Sequence, residues 1–141
     1  MENKDIKIDF QLKNIELVEV RINATENLEN KVSTFQYSIN LEHRVISEKK
    51  AVLLIVTIKI HGDDLEKELG FLKVAFSFFI DNFEDFVPTG MDEIKLPDEI
   101  LTTFNSIAIS TARGILFSQF RGTHLHHAVL PIIDPKSFRR E

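Results

Sequence analysis

The chain has 141 residues, 43% of them hydrophobic and 28% charged, with a formal net charge of −5, which fits one globular domain spanning 1–141 around a single core. The acidic balance excludes a general binder of nucleic acid or anionic membrane, since both need a basic field. The lack of cysteine excludes disulfide frameworks, thiolate metal sites and cysteine nucleophiles.

The first nine residues are charged throughout and lack the apolar centre of a secretory signal. The longest apolar stretch, Ala51 to Ile60, is broken by Thr57 and Lys59 and is too short to cross a bilayer. The expected location is cytoplasmic, without membrane insertion.

Phe10 to Ile22 has strand composition with a shifting phase. Phe10 and Leu12 share one face, Ile15 and Leu17 the next, and Val18, Val20 and Ile22 the one after, so two bulges are expected. Glu16, Glu19 and Arg21 read as solvated positions that blunt an edge. Asn23 to Ser33, with only Leu28 and Val32 as large apolar residues, reads as a long connection. Phe35 to Ile46 alternates cleanly, with Phe35, Tyr37, Ile39, Leu41 and Val45 on one face and Gln36, Ser38, Asn40, Glu42 and Arg44 on a wet one.

After a polar turn, Ala51 to His61 is apolar at Val52, Leu54, Val56, Ile58 and Ile60. Leu53 and Ile55 make its first half apolar on the other side too, which predicts cover on both faces. Gly62-Asp63-Asp64 turns the chain, and Phe71 to Phe83 is the fourth predicted strand, aromatic on both faces: Phe76 and Phe78 on one, Phe71 and Phe79 on the other. With 12 Phe in the chain, an exposed phenylalanine patch for protein or ligand contact is expected.

Pro97, Asp98 and Glu99 signal a helix start and Gly122 its stop. Between them Ile100, Leu101, Phe104, Ile107, Ala108, Ala112, Ile115, Leu116 and Phe120 form a wide apolar face, with Asn105 mostly off it. Ile109 and Phe117 fall outside the main stripe and call for a second partner surface. Gly114 costs about 1 kcal/mol in a helix interior relative to alanine, which close approach of another backbone would offset. Four strands followed by one helix predict an α+β fold with the helix laid on the sheet.

Catalytic signals are weak. The five glycines are isolated, no nucleophile elbow occurs, and Asp63-Asp64 and Asp92-Glu93 are neighbours that point apart. His124, His126 and His127 follow Arg121-Gly122-Thr123. In an extended segment His124 and His126 would share a face with no nearby carboxylate, so no metal site, no cofactor and no enzymatic activity are expected.

The run Phe10-Gln11-Leu12-Lys13-Asn14-Ile15 to Val18-Glu19-Val20, then Ala112-Arg113, Arg121-Gly122-Thr123, Leu130-Pro131-Ile132 and Phe138, in this order around four strands, resembles SecB and its atypical relatives. That resemblance implies an ATP-independent chaperone for non-native polypeptides in protein export. It implies a homotetramer, a dimer of dimers with the long helices between two sheets, in which Ile109, Ala112, Gly114 and Phe117 lie at the subunit interface.

By the same resemblance clients lie on apolar surface near the 23–34 connection, which nominates Leu28, Val32 and Phe35, with Phe76 and Phe78 added from the aromatic fourth strand. Glu19, Val20 and Leu72 fit the SecA motor-docking patch, although Asn23 and Lys73-Val74 stand where acidic residues are expected. After Phe138 only three residues follow, so the family's second C-terminal helix is expected to be shortened or absent, which puts export through the motor in question and makes a dedicated client such as an antitoxin an alternative. From another class, a carrier of an apolar small molecule would need a Phe-lined pocket between sheet and helix.

Overall fold

The computed structural model describes residues 9–23, 35–63, 66–86 and 96–135. Four strands, β1 (Phe10–Ile22), β2 (Gln36–Ile46), β3 (Ala51–His61) and β4 (Glu68–Ile80), form one antiparallel sheet in the order β1-β4-β3-β2, and helix α1 (Asp98–Gln119) lies on it. The chain therefore crosses from one edge of the sheet to the other between β1 and β2, then returns by hairpins. Leu28 and Val32 fall on that crossover, outside the described residues.

Both expected bulges are present. The register of β1 against β4 slips between Leu12 and Asn14 and again between Leu17 and Glu19. Each slip inserts one residue, which restores the phase, so Leu12, Ile15, Leu17, Val20 and Ile22 pair with Phe78, Phe76, Val74, Leu72 and Gly70 on a single face.

The core forms between that inner face and α1. Val52, Leu54, Ile58 and Ile60 of β3 and Leu72, Val74, Phe76, Phe78 and Ile80 of β4 have no exposure, nor do Phe104, Ala108, Ala112 and Leu116 of α1. Phe78 stacks on Phe104 with ring centroids 4.2 Å apart, and Phe10 meets Phe104 edge-on at 5.0 Å. The rings that a carrier would need around its ligand thus pack on one another.

Strand β4 is offset from expectation, starting at Glu68 and ending at Ile80. Phe83 belongs instead to a 3₁₀ turn, where it and Phe86 are buried. Leu53 and Ile55 on the outer face of β3 are half-buried, and among the described residues no element lies over them.

The helix begins after Pro97, and Gly122, in the left-handed region at φ 78°, follows its end. The segment after it is not extended at once. Residues 120–127 turn repeatedly, with Thr123 Oγ1 donating to the Phe120 carbonyl and the Gly122 amide donating to His126 Nδ1 at 2.9 Å. These turns bury Leu125 and Ala128. Only then does the chain run back irregularly along the helix as far as Pro135.

Candidate polypeptide-binding surface

What the return segment covers decides what stays open. Arg113 donates from Nε to the Leu130 carbonyl and from Nη2 to the Pro131 carbonyl, both at 3.0 Å, and Asn105 Nδ2 donates to the Pro135 carbonyl at 3.4 Å. Tyr37 of β2 bonds the backbone of Val129, and burial pushes its phenol above the ordinary value. His43 of β2 meets Asn105, 2.7 Å from Nε2 to Oδ1. The return therefore lies on the β2 flank of α1.

Ile109, one turn from both Asn105 and Arg113, is 2% exposed, and Ala112 is fully buried. Both were expected at a subunit interface, but the protomer covers them itself. Asn105, expected off the apolar face, is 1% exposed.

At about 100° per residue, Ile100, Ile107 and Ile115 fall on the opposite flank, toward β1, and are only partly covered. Beneath that flank the inner face of β1 carries Leu12, Ile15, Leu17 and Ile22, each more than a third exposed, with Val18 in the second bulge half exposed. Since β1 is also an edge, a continuous apolar rim sits beside unpaired backbone, the combination that invites another chain.

The outward side of α1 presents Thr103, Ser106, Ser110 and Gly114 at helical steps, ending in Phe117, which is 42% exposed and carries the Arg121 guanidinium over its ring. Among the described residues nothing lies within 4 Å of a Cβ placed on Gly114, so none of them supplies the close approach expected there. A third apolar strip follows β2, where Phe35, Tyr37, Ile39 and Leu41 are partly covered beside exposed Val129 and Ile132.

Other expected site residues lie elsewhere. Phe76 and Phe78 have no exposure and, in this conformation, cannot touch a client. Leu72 is equally buried and pairs across the strands with Val20 on the inner face, whereas Glu19 points outward and is held by Arg21 at 2.8 Å. The three residues expected to dock a motor therefore do not share a surface. His126 and His127 meet edge-on at 5.1 Å in the turns after the helix. Among the described residues, no three His, Asp or Glu side chains converge as a metal site.

Arg113, Asn105 and His43, which fix the return, were missed in the sequence. A histidine on the apolar side of β2 and an asparagine beside Phe104 were the available signals.

Strand order and the placement of one long helix define a SecB-like α+β fold. The fold is shared with the SecB-like chaperone Rv1957 of Mycobacterium tuberculosis, solved in complex with a ChAD peptide from the antitoxin HigA1. The TM-score is 0.57 over 88% of this chain and 90% of that one, at 14% identity, so the likeness is one of fold. A protein of unknown function from Streptococcus agalactiae covers 81% of this chain and 89% of its own, at TM-score 0.41 and 7% identity, too distant to carry an argument. No family model matches the chain, and no curated protein does.

Proposed function

We propose that this protein is an ATP-independent, cytoplasmic, SecB-like holdase that assembles as a homotetramer and keeps non-native polypeptides from aggregating. The observation that carries the reading is surface left over: Leu12, Ile15, Leu17, Val18, Ile22, Phe117, Val129 and Ile132 are all exposed by more than a third, and they fall in three separate strips.

Two of the strips suit self-assembly. The β1 rim is long and keeps its apolar side chains on one face despite the two bulges, so an identical rim can pair with it about a two-fold axis, and the small side chains along the outward face of α1 let a second helix come close. The strip along β2 and the return is irregular. It joins apolar side chains to an open strand edge and adjoins the crossover, and such a surface accepts many sequences through backbone pairing. Phe35, Leu28 and Val32 belong to this reading as client contacts. That the fold neighbour holds an antitoxin peptide supports a dedicated client over motor-coupled export.

The test is light scattering from an aggregating client without nucleotide. Suppression at near-stoichiometric ratio, lost on Ile132→Glu with Val129→Glu and retained by a surface control such as Glu48→Gln, supports the reading. No suppression at any ratio contradicts it.

A further inference from the structure

The end of the return segment is attached to the rest of the protomer much as a separate peptide would be. Residues 129–135, Val-Leu-Pro-Ile-Ile-Asp-Pro, lie between β2 and α1, and among the described residues no main-chain hydrogen bond joins them to the sheet or the helix. Side chains hold their main chain instead. The Arg113 fork takes the Leu130 and Pro131 carbonyls, Asn105 takes that of Pro135, and the Tyr37 hydroxyl bonds the main chain at Val129. Each of these ties falls on a group that any polypeptide carries.

The apolar attachment of the segment is small. Leu130 is buried and Ile133 partly so, whereas Val129 is half exposed and Ile132 is 95% exposed. Pro131 and Pro135 have no amide hydrogen to donate, which weakens any pairing of the segment with the free edge of β2. The turns that precede it are anchored on their own. Leu125 and Ala128 are buried, Leu125 against Gly70, and the Ala128 amide donates to the Leu125 carbonyl at 2.9 Å. Residues 129–135 can therefore lift away while those turns stay seated, which would open Ile109, Tyr37 and the donors of Arg113 and Asn105.

We propose that residues 129–135 are a displaceable strap, an internal stand-in for client, and that a client binds by taking its place between β2 and α1. The segment that fits is extended and apolar. Its carbonyls accept from Arg113 and Asn105, and one of its side chains fills the site of Leu130. This rests on the holdase reading and states how that binding surface is regulated. Val129 and Ile132, on the outer side of the strap, meet the client first. Affinity is then held down by the share of molecules whose strap is in place, and the groove stays covered while no client is present.

The probe is a fluorescein-labelled peptide that copies residues 128–135, flanked by lysines for solubility, with a control in which its leucine and isoleucines are serine. Leu130→Ser weakens the strap and leaves the groove intact, so the full-length variant is expected to bind the copy about tenfold tighter than the unaltered protein by anisotropy. Were Leu130 a client contact, the same change would weaken binding. Because the chain has no cysteine, Leu130→Cys carries one shielded thiol. Saturating copy peptide is expected to speed its reaction with a maleimide about tenfold, while the thiol of Leu125→Cys stays shielded. In the unaltered protein, a copy peptide with photo-leucine in place of its leucine is expected to crosslink to Tyr37 or to α1 between Asn105 and Arg113.

A folded Leu130→Ser protein that binds the copy no tighter than the unaltered one overturns the proposal. Unchanged labelling of Leu130→Cys overturns it, and equal acceleration in Leu125→Cys overturns it as a general loosening. Equal binding of the serine control overturns it as a bare charge effect. Crosslinks confined to other surfaces overturn it whatever the variants do, so the unaltered protein decides if a variant fails to fold. The holdase reading survives all of these as long as the unaltered protein suppresses aggregation. Without that suppression the reading falls, and the strap with it.

Discussion

His43 Nε2 and Asn105 Oδ1 stand 2.7 Å apart, a hydrogen bond from an edge strand to a helix residue that is 1% exposed. With the Asn105 amide also reaching the Pro135 carbonyl, one polar side chain ties the sheet, the helix and the return together. Asn105→Ala leaves the groups that faced it short of a partner in a dry site, which costs about 1–3 kcal/mol. Urea unfolding checks this, and in a His43→Ala background the same change is expected to cost less, since the shared bond is already gone.

The Arg113 fork holds two consecutive carbonyls, those of Leu130 and Pro131. Lysine cannot reproduce that planar fork, so Arg113→Lys is expected to loosen the return nearly as much as Arg113→Ala does. Limited proteolysis reads this as faster cleavage near Leu130, with Ile109 losing its cover. Protection in both variants equal to that of the unaltered protein would show that the return is held by packing alone.

Tyr37 is the single tyrosine of the chain, and there is no tryptophan, so its phenolate absorbance reports one site. Burial raises its pKa, more than the bond to Val129 lowers it. The titration midpoint is therefore expected above the usual value of about 10. The unfolded chain then loses this proton at a lower pH than the folded one, so the stability it supplies is complete below that usual value and drains away as pH climbs through the folded midpoint. Tyr37→Phe is expected to flatten that alkaline decline.

Gly70 of β4 is where the post-helical turns seat. A Cβ there would lie 2.6 Å from Leu125 Cδ1 and 3.4 Å from Ile60 and Phe120. Leu125 has no exposure and little room to retreat, so Gly70→Ala is expected to cost about 1–3 kcal/mol as overpacking. Thermal melting would show it as a clear loss, and a gain would mean that Leu125 is free to move.

How far the sequence was legible depends on whether the signal was periodic. Strand β3 was readable to the residue because Val52 to Ile60 alternate without interruption. The two bulges of β1 were readable because each inserted residue left a visible phase change at Lys13 and Val18. The ends of β4 were not, because Phe83 continues the aromatic spacing of the strand although the chain has already turned. The burial of Ile109 was equally hidden, since the segment that covers it has no period. Only hydrogen bonds from Arg113 and Asn105 place it there, and nothing in the spacing of those residues announces what they bind. Phe76 and Phe78 were misplaced among client contacts because aromatic content says nothing about which face the helix will take.

Substitutions at Gly114 separate two outcomes. On a solvent-facing helix Gly114→Ala is expected to raise stability by about 1 kcal/mol through helix propensity. Against a closely packed second helix, Gly114→Leu is expected to lower the native mass while helical content by circular dichroism stays constant. The account predicts the second behaviour, and Phe117→Ser is expected to act the same way.

The most direct measurement is the native mass of the unaltered protein by multi-angle light scattering across a dilution series. The exposed rim of β1 and the bare outward side of α1 predict four chains of 16.3 kDa each, held together down to low concentration. A particle of one chain, stable and unaggregated at every concentration, would contradict the claim that this fold must assemble to cover its apolar surface.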